Sequence, residues 1–197
     1  MKRYKKVNFD GILLATFLTT LFYSSTYPYI HKQVMTVASD DFIALSQIVD
    51  CLSIVLFGAI WNRLSDKLFK YYPAFCAVES ILGILTSIYA TVSNDVVGYY
   101  LLDTFVFALI TRNICCGGVK LRAIRYKTEK AREKFDNNNN SMAAIATIIG
   151  SFIAMILSLD FVAMLWIATF GNMIDNIFYI FIYYKTQNAY KIENTAR

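Results

Sequence analysis

Charge is scarce in this chain: only 17% of its 197 residues are Asp, Glu, Lys or Arg, against about 25% in an average soluble domain. That excludes an ordinary solvated globule. Histidine is all but missing, with His31 the only one. Cysteine is confined to Cys51, Cys76, Cys115 and Cys116, none at zinc-ligand spacing. Vicinal Cys115 and Cys116 have no third ligand near in sequence for a soft metal. The thiols are read as reduced packing residues, with no metal or cofactor implied. A cysteine peptidase needs Cys and His on one side of a membrane, whereas His31 and Cys115 are expected on opposite sides. A glycine-rich phosphate loop is missing as well. No enzyme constellation emerges, and the chain is read as a non-enzyme.

What the chain has instead is apolar length. Hydrophobic residues make up 57%, in six runs of roughly 20 residues, each enough to cross about 30 Å of hydrocarbon. The expected fold is an all-α polytopic membrane protein, a single six-helix domain over 1–197 with spans at about 9–30, 42–61, 71–92, 96–116, 142–159 and 161–184. Pro28 is expected to disturb the end of the first span, before a short loop at 31–41. The stretch 62–70 reads as the turn between spans 2 and 3. The longest connection, 117–140, reads as a cytoplasmic loop: an inward extension of span 4, then solvated chain, with a surface amphipathic helix as the alternative. The run Asn137–Asn138–Asn139–Asn140 reads as a polar linker, with Asn140 or Ser141 capping span 5. Small residues in span 5, Ala143, Ala144, Ala146, Gly150, Ser151 and Ala154, allow close helix packing. No cleavable signal peptide is expected.

The net charge is +5. Its basic residues cluster beside the spans, so topology explains them better than nucleic acid does. Lys32 is the sole basic residue in an expected outer loop. By the positive-inside rule both termini are cytoplasmic, in a multi-pass protein of the plasma membrane. So one-sided a distribution leaves little room for a chain that inserts both ways.

Four acids fall within four different spans: Asp50, Glu79, Asp103 and Asp175. A charge at a span centre costs about 2.5–3.5 kcal/mol on insertion scales and commonly faces a cavity or a partner. Arg112 is the one basic residue well inside a span, so the acids cannot all be paired. They are candidates for substrate or coupling-ion binding. Asn172 shares a polar face with Asp175 and Asn176. Tyr23 and Tyr27, one turn apart in a hydroxyl-rich first span, are candidates for lining a cavity. Interhelical hydrogen bonding is the plainer alternative for each. His31 is read as a solvated residue of the outer interface.

The stretch 62–70 resembles the loop between helices 2 and 3 of the major facilitator superfamily. That signature runs Gly, three residues, Asp, a basic residue, one residue, Gly, then two basic residues. Asp66, Lys67 and Lys70 match; Asn62 and Phe69 replace the glycines, and Tyr71 departs. Arg112 stands where the family places an Arg in helix 4, with Gly117 and Gly118 following, and 133–150 resembles the entry into helix 5. The resemblance covers the whole chain but only half of a usual twelve-span member. It implies two inverted three-helix repeats and a half-size secondary transporter of a small solute, working as a parallel homodimer or paired with a second half, with proton coupling a further expectation. It places Asp66, Lys67 and Arg112 at a cytoplasmic gate, with Asp66 facing the partner's 140–141. The alternative is a non-transporting accessory, immunity or scaffold protein derived from a transporter half, or a truncated transporter.

Overall fold

The computed structural model describes residues 10–104, 108–156 and 159–195, and of 108–109 and 188–195 the backbone alone. Seven helices make up the described residues, with no strand among them: α1 (Gly11–Val37), α2 (Asp40–Phe69), α3 (Tyr72–Ser93), α4 (Val96–Leu102), α5 (Ala108–Arg125), α6 (Glu129–Ile156) and α7 (Phe161–Thr195). Most starts carry a side-chain cap. Asp10 accepts from the Ile12 N–H at 3.1 Å, Ser39 from Phe42 at 3.3 Å, Asp95 from Gly98 at 2.9 Å, Thr128 from Ala131 at 3.3 Å and Asp160 from Ala163 at 2.7 Å. Each satisfies an N–H that the first helical turn leaves without a partner. Asn94 ends α3 with φ 54°, in the left-handed conformation that Asn tolerates better than most residues.

Four helices are long and apolar enough to cross a membrane: α2, α3, α6 and residues 161–187 of α7. α1 has the length, 27 residues, but its Thr, Ser and Tyr content lowers its mean hydropathy. Within the expected span at 96–116 the structure describes α4 and α5; residues 105–107 lie outside the described residues. The apolar helices are also the least buried. α2 buries Ser46, Ser53, Trp61 and Phe69 while Ile48, Leu52 and Val55 are 55%, 62% and 71% exposed. A chain dissolved in water would bury the leucines and expose the serines; one dissolved in lipid does the reverse, because lipid tails are as apolar as Leu.

Several expected boundaries are corrected. α1 continues through Pro28 to Val37, so the loop expected at 31–41 shrinks to residues 38–39. Proline is tolerated inside such helices where neighbouring helices hold the chain in place, and α1 packs along both α6 and α7. Ser24, Ser25 and Thr26 all donate to α1 carbonyls here, and Tyr29 donates to the Ala154 carbonyl of α6. Residues 62–69 are not a turn but the last two turns of α2, and the reversal occupies 70–71. The loop expected at 117–140 is three residues, 126–128, because α5 runs on to Arg125 and α6 begins at Glu129. Thr128, not Asn140 or Ser141, caps α6. The asparagine run lies inside the helix, and Ser141 donates back to the Asn137 carbonyl at 3.0 Å. Phe135 fixes this inward extension: it is buried and stacks on Tyr126 with centroids 4.5 Å apart.

The helices pack in the order α2–α5–α3–α7–α1–α6, with α4 beside both α1 and α3. On α6 the buried positions Ala146, Gly150 and Ala154 recur every four residues and lie on α1. A Cβ at Gly150 would stand 2.7 Å from the Leu21 carbonyl oxygen and 2.8 Å from the Ser24 Cβ. Only glycine allows that approach.

Two buried clusters mark the two ends of the bundle. One gathers Ile30 of α1, Ala90 of α3, and Met164 and Leu165 of α7. The other is larger and aromatic, with Trp61, Phe69, Tyr72, Phe135 and Tyr183. Phe69 meets Tyr183 edge-on at 5.1 Å and lies 6.0 Å from Tyr72. A Cβ at Gly117 would overlap the Tyr72 ring, so this glycine lets the ring lie directly on α5. Lys32 is the one basic residue at the first end; apart from Arg112, the other basic residues with described side chains belong to the aromatic end.

Candidate functional site

A cavity of about 680 Å³ occupies the half of the bundle away from the aromatic cluster. Its wall on α1 is a one-turn repeat: Thr19, Tyr23, Tyr27 and His31 recur every fourth residue and so share a face. The rings stack as a ladder, Tyr23 on Tyr27 at 4.5 Å and 19°, and Tyr27 on His31 at 5.6 Å and 12°. Tyr23 is 56% and Tyr27 40% exposed, which leaves the ladder open on one side. His31 is therefore part of the cavity wall rather than an isolated interface residue. The neighbouring Pro28 is what makes its inclusion hard to foresee, since a helix ending there would not carry the ladder to residue 31.

The opposite walls supply charge. Arg112 of α5 meets Asp50 of α2, Nη2 to Oδ1, at 2.5 Å, and its Nε is buried without a hydrogen-bond partner. Packing of α2 on α5 sets this pair, and it is reinforced by the Trp61 indole N–H donating to Asn113 at 2.9 Å. The Tyr100 and Ser46 hydroxyls, 3.1 Å apart, tie α4 to α2 above it.

Glu79 of α3 is buried where α3, α5 and α7 converge. Thr111 donates to its Oε1 at 2.6 Å and the Asn176 amide to its Oε2 at 2.7 Å. Asn176 also donates to Ser80 at 3.1 Å. These neutral donors solvate Glu79 but bring no positive charge. Asp103, beyond α4, lines the same cavity, as do Thr86 of α3 and Asn172 of α7. Among the described lining residues Arg112 is the only permanent cation.

Seven of the residues singled out from sequence thus surround one cavity: Tyr23, Tyr27, Asp50, Glu79, Asp103, Arg112 and Asn172. Asp175 does not line it. It is buried beside Thr19 of α1, with Oδ1 lacking a hydrogen-bond partner. The expected grouping of Asp66, Lys67 and Arg112 is not seen. Arg112 faces the cavity, Lys67 is exposed, and Asp66 pairs with Lys120 at 2.5 Å. Lys120 lies eight residues beyond Arg112 on α5, about 12 Å along the helix. Its hydrogen bond and charge hold the exposed Asp66 carboxyl below the ordinary carboxylate range. The contact expected between Asp66 and a helix start at 140–141 loses its basis, because α6 starts at Glu129.

Comparison of the chain with protein-family models, with curated proteins and with solved structures finds no match.

A second polar joint, at the other end, was not foreseen. Asp10 caps α1, accepts from the Tyr126 hydroxyl and lies 3.5 Å from Arg125 at the end of α5. Burial, followed by the adjacent Asp10 carboxylate, pushes the Tyr126 phenol above its ordinary pKa. The signal for the cap was present, an Asp just before an apolar run; the partners 115 residues away were not. Among the described residues no three His, Cys, Asp or Glu side chains converge as a metal site would need.

Chemically the cavity can do three things. It can take a planar group against the ladder, a positive charge near Glu79 and Asp103, and a proton on any carboxylate that Arg112 does not hold.

Proposed function

We propose that this chain is one half of a secondary transporter of major-facilitator type, in which two parallel copies enclose a path for a small solute across the plasma membrane. The observation that carries the proposal is the cavity itself: ionisable groups from α2, α3 and α5, with Asp103, converge on one 680 Å³ space inside an otherwise lipid-facing bundle. Intramembrane charge is expensive and is commonly found along substrate and ion paths.

The helix pairing supports the resemblance. Exchange α1 with the α4–α5 unit, α2 with α6, and α3 with α7. The pair α1–α6 then becomes α5–α2, the pair α1–α7 becomes α3 with α4–α5, and α3–α7 maps onto itself. All of these pairs pack. That is the pairing two inverted three-helix repeats would produce. It fits six crossings, with α1 and α4–α5 lining the path and both termini on the cytoplasmic side with the basic residues. The open side of the Tyr23–Tyr27 ladder gives a reason for a second copy, which would supply the missing wall. Glu79 and Asp103 are proton-coupling groups, as is Asp50 once Arg112 releases it, with Asp175 buried behind them.

Reconstitution tests this. Purified protein in vesicles should take up solute under an inward proton gradient, Asp50→Asn should abolish the coupling, and the protein in mild detergent should be dimeric. No flux under any gradient, together with a monomer, would establish the non-transporting reading in its place.

A further inference from the structure

The cavity's charge and shape go further than its existence. Three carboxylates line it, and one of them, Asp50, is engaged by Arg112 at 2.5 Å. The donors on Glu79 are a hydroxyl and an amide, both neutral. Asp103 has no basic side chain facing it among the described lining residues. With Glu79 and Asp103 ionised, the cavity carries two carboxylates that no cation offsets among the described lining residues, since Arg112 is taken by Asp50.

The α1 wall is not a random set of aromatics. Three rings lie nearly parallel, at interplanar angles of 19° and 12°, and two of them are accessible from the cavity side. A ring face carries negative quadrupole charge and attracts cations; Tyr27 is covered on both faces by Tyr23 and His31, so a further planar group lies with its own face against the ring edges or stacks at an end of the ladder. The two features face the same space, and its volume is that of a small-molecule site.

We propose that the solute bound in this cavity is a planar aromatic cation, packed against the Tyr23–Tyr27–His31 ladder with its charge toward Asp103 and Glu79. The assignment rests on the transporter reading for its purpose but not for its test, because binding is measured without transport. The charge pair Asp50–Arg112 stays closed in this state, so an anionic ligand would have to displace Asp50 from Arg112 first.

The probe is N-methylquinolinium, with quinoline at pH 7.5 as its neutral counterpart and 1-naphthoate as the anion. Each is titrated against the protein in lipid nanodiscs, with empty nanodiscs subtracted. N-methylquinolinium should bind saturably and at least about tenfold more tightly than quinoline, roughly the factor that 1.4 kcal/mol of charge recognition gives. Naphthoate should not compete. Asp103→Asn should bring the cation down to the neutral level, and Tyr27→Ala should weaken both. Equal binding of cation and neutral, preference for naphthoate, or no saturable binding of the cation would each overturn the assignment, and these comparisons need only the parent protein. Selective binding without flux in vesicles would leave the assignment standing and remove the transporter reading. Flux of other solutes without cation preference would do the opposite.

Discussion

Gly150→Ala adds one methyl group to α6 where it crosses α1. That methyl would stand 2.7 Å from the Leu21 carbonyl oxygen, 2.8 Å from the Ser24 Cβ and 3.2 Å from the Ser25 nitrogen. Carbon atoms pack comfortably at about 3.5–4.0 Å, so the two helices must separate by roughly an ångström. Two of the three atoms are backbone, which cannot rotate away, and α1 is held on its other side by α7. Overpacking of this kind costs about 1–3 kcal/mol. For a chain of this length each kcal/mol moves the melting temperature by about 2–4 °C, so a loss of about 2–12 °C is expected in detergent. Gly58→Ala is the control: a Cβ there meets nothing within 4 Å, and replacing a helical glycine by alanine gains up to about 1 kcal/mol. Thermal unfolding followed by size-exclusion fluorescence reads both. If the two substitutions shift the melting temperature alike, or Gly150→Ala stabilises, the close α1–α6 crossing is wrong.

Other outcomes follow from the polar contacts. Arg112→Gln should cost about 1–2 kcal/mol, less than the roughly 3–5 kcal/mol of a buried pair, because Asp50 is 45% exposed and water in the cavity screens it. Adding Asp50→Asn should recover at least half of that loss, and a double mutant as poor as the sum of the singles would show that the residues do not interact. Asp10→Ala removes a cap and the acceptor for Tyr126 and Arg125, and should cost about 1–2 kcal/mol, a fall in melting temperature of about 2–8 °C. Asp66→Asn should not change it measurably at neutral pH in high salt, since Asp66 is exposed. Whatever the Lys120 contact adds is complete above the ordinary carboxylate pKa of about 4 and vanishes as pH falls through the depressed value. A large melting shift in Asp66→Asn would show a tighter joint than the structure contains.

Much of this arrangement could be read from the residues. Apolar runs of membrane length placed the helices, and the acids within them pointed to a cavity because charge in lipid needs a reason to be there. What local pattern could not supply was how far each helix runs. Pro28 and the four asparagines are breakers by composition, yet α1 and α6 pass through them. Packing on α6 and α7 carries the first, while Thr128 and Phe135 hold the second from the far side. Nor could it give rotation. Asn172 and Asp175 share a polar stripe, but only the packing of α7 between α1 and α3 turns one into the cavity and the other away from it. The partner of Asp66 depended on the same kind of fact, since α2 lies on α5 in a register that presents Lys120.

Two copies that carry a solute across the membrane, as proposed, must open the cavity to each side in turn. Cys51 lines the cavity and is exposed, so a chain with Cys76, Cys115 and Cys116 replaced by serine or alanine carries its own probe. An impermeant maleimide should label Cys51 from the side bearing residues 38–39 and 94–95 when no gradient is applied. Under a proton gradient that drives the opposite state, labelling should shift to the side bearing 70–71. Labelling from a single side under every gradient would contradict that proposal.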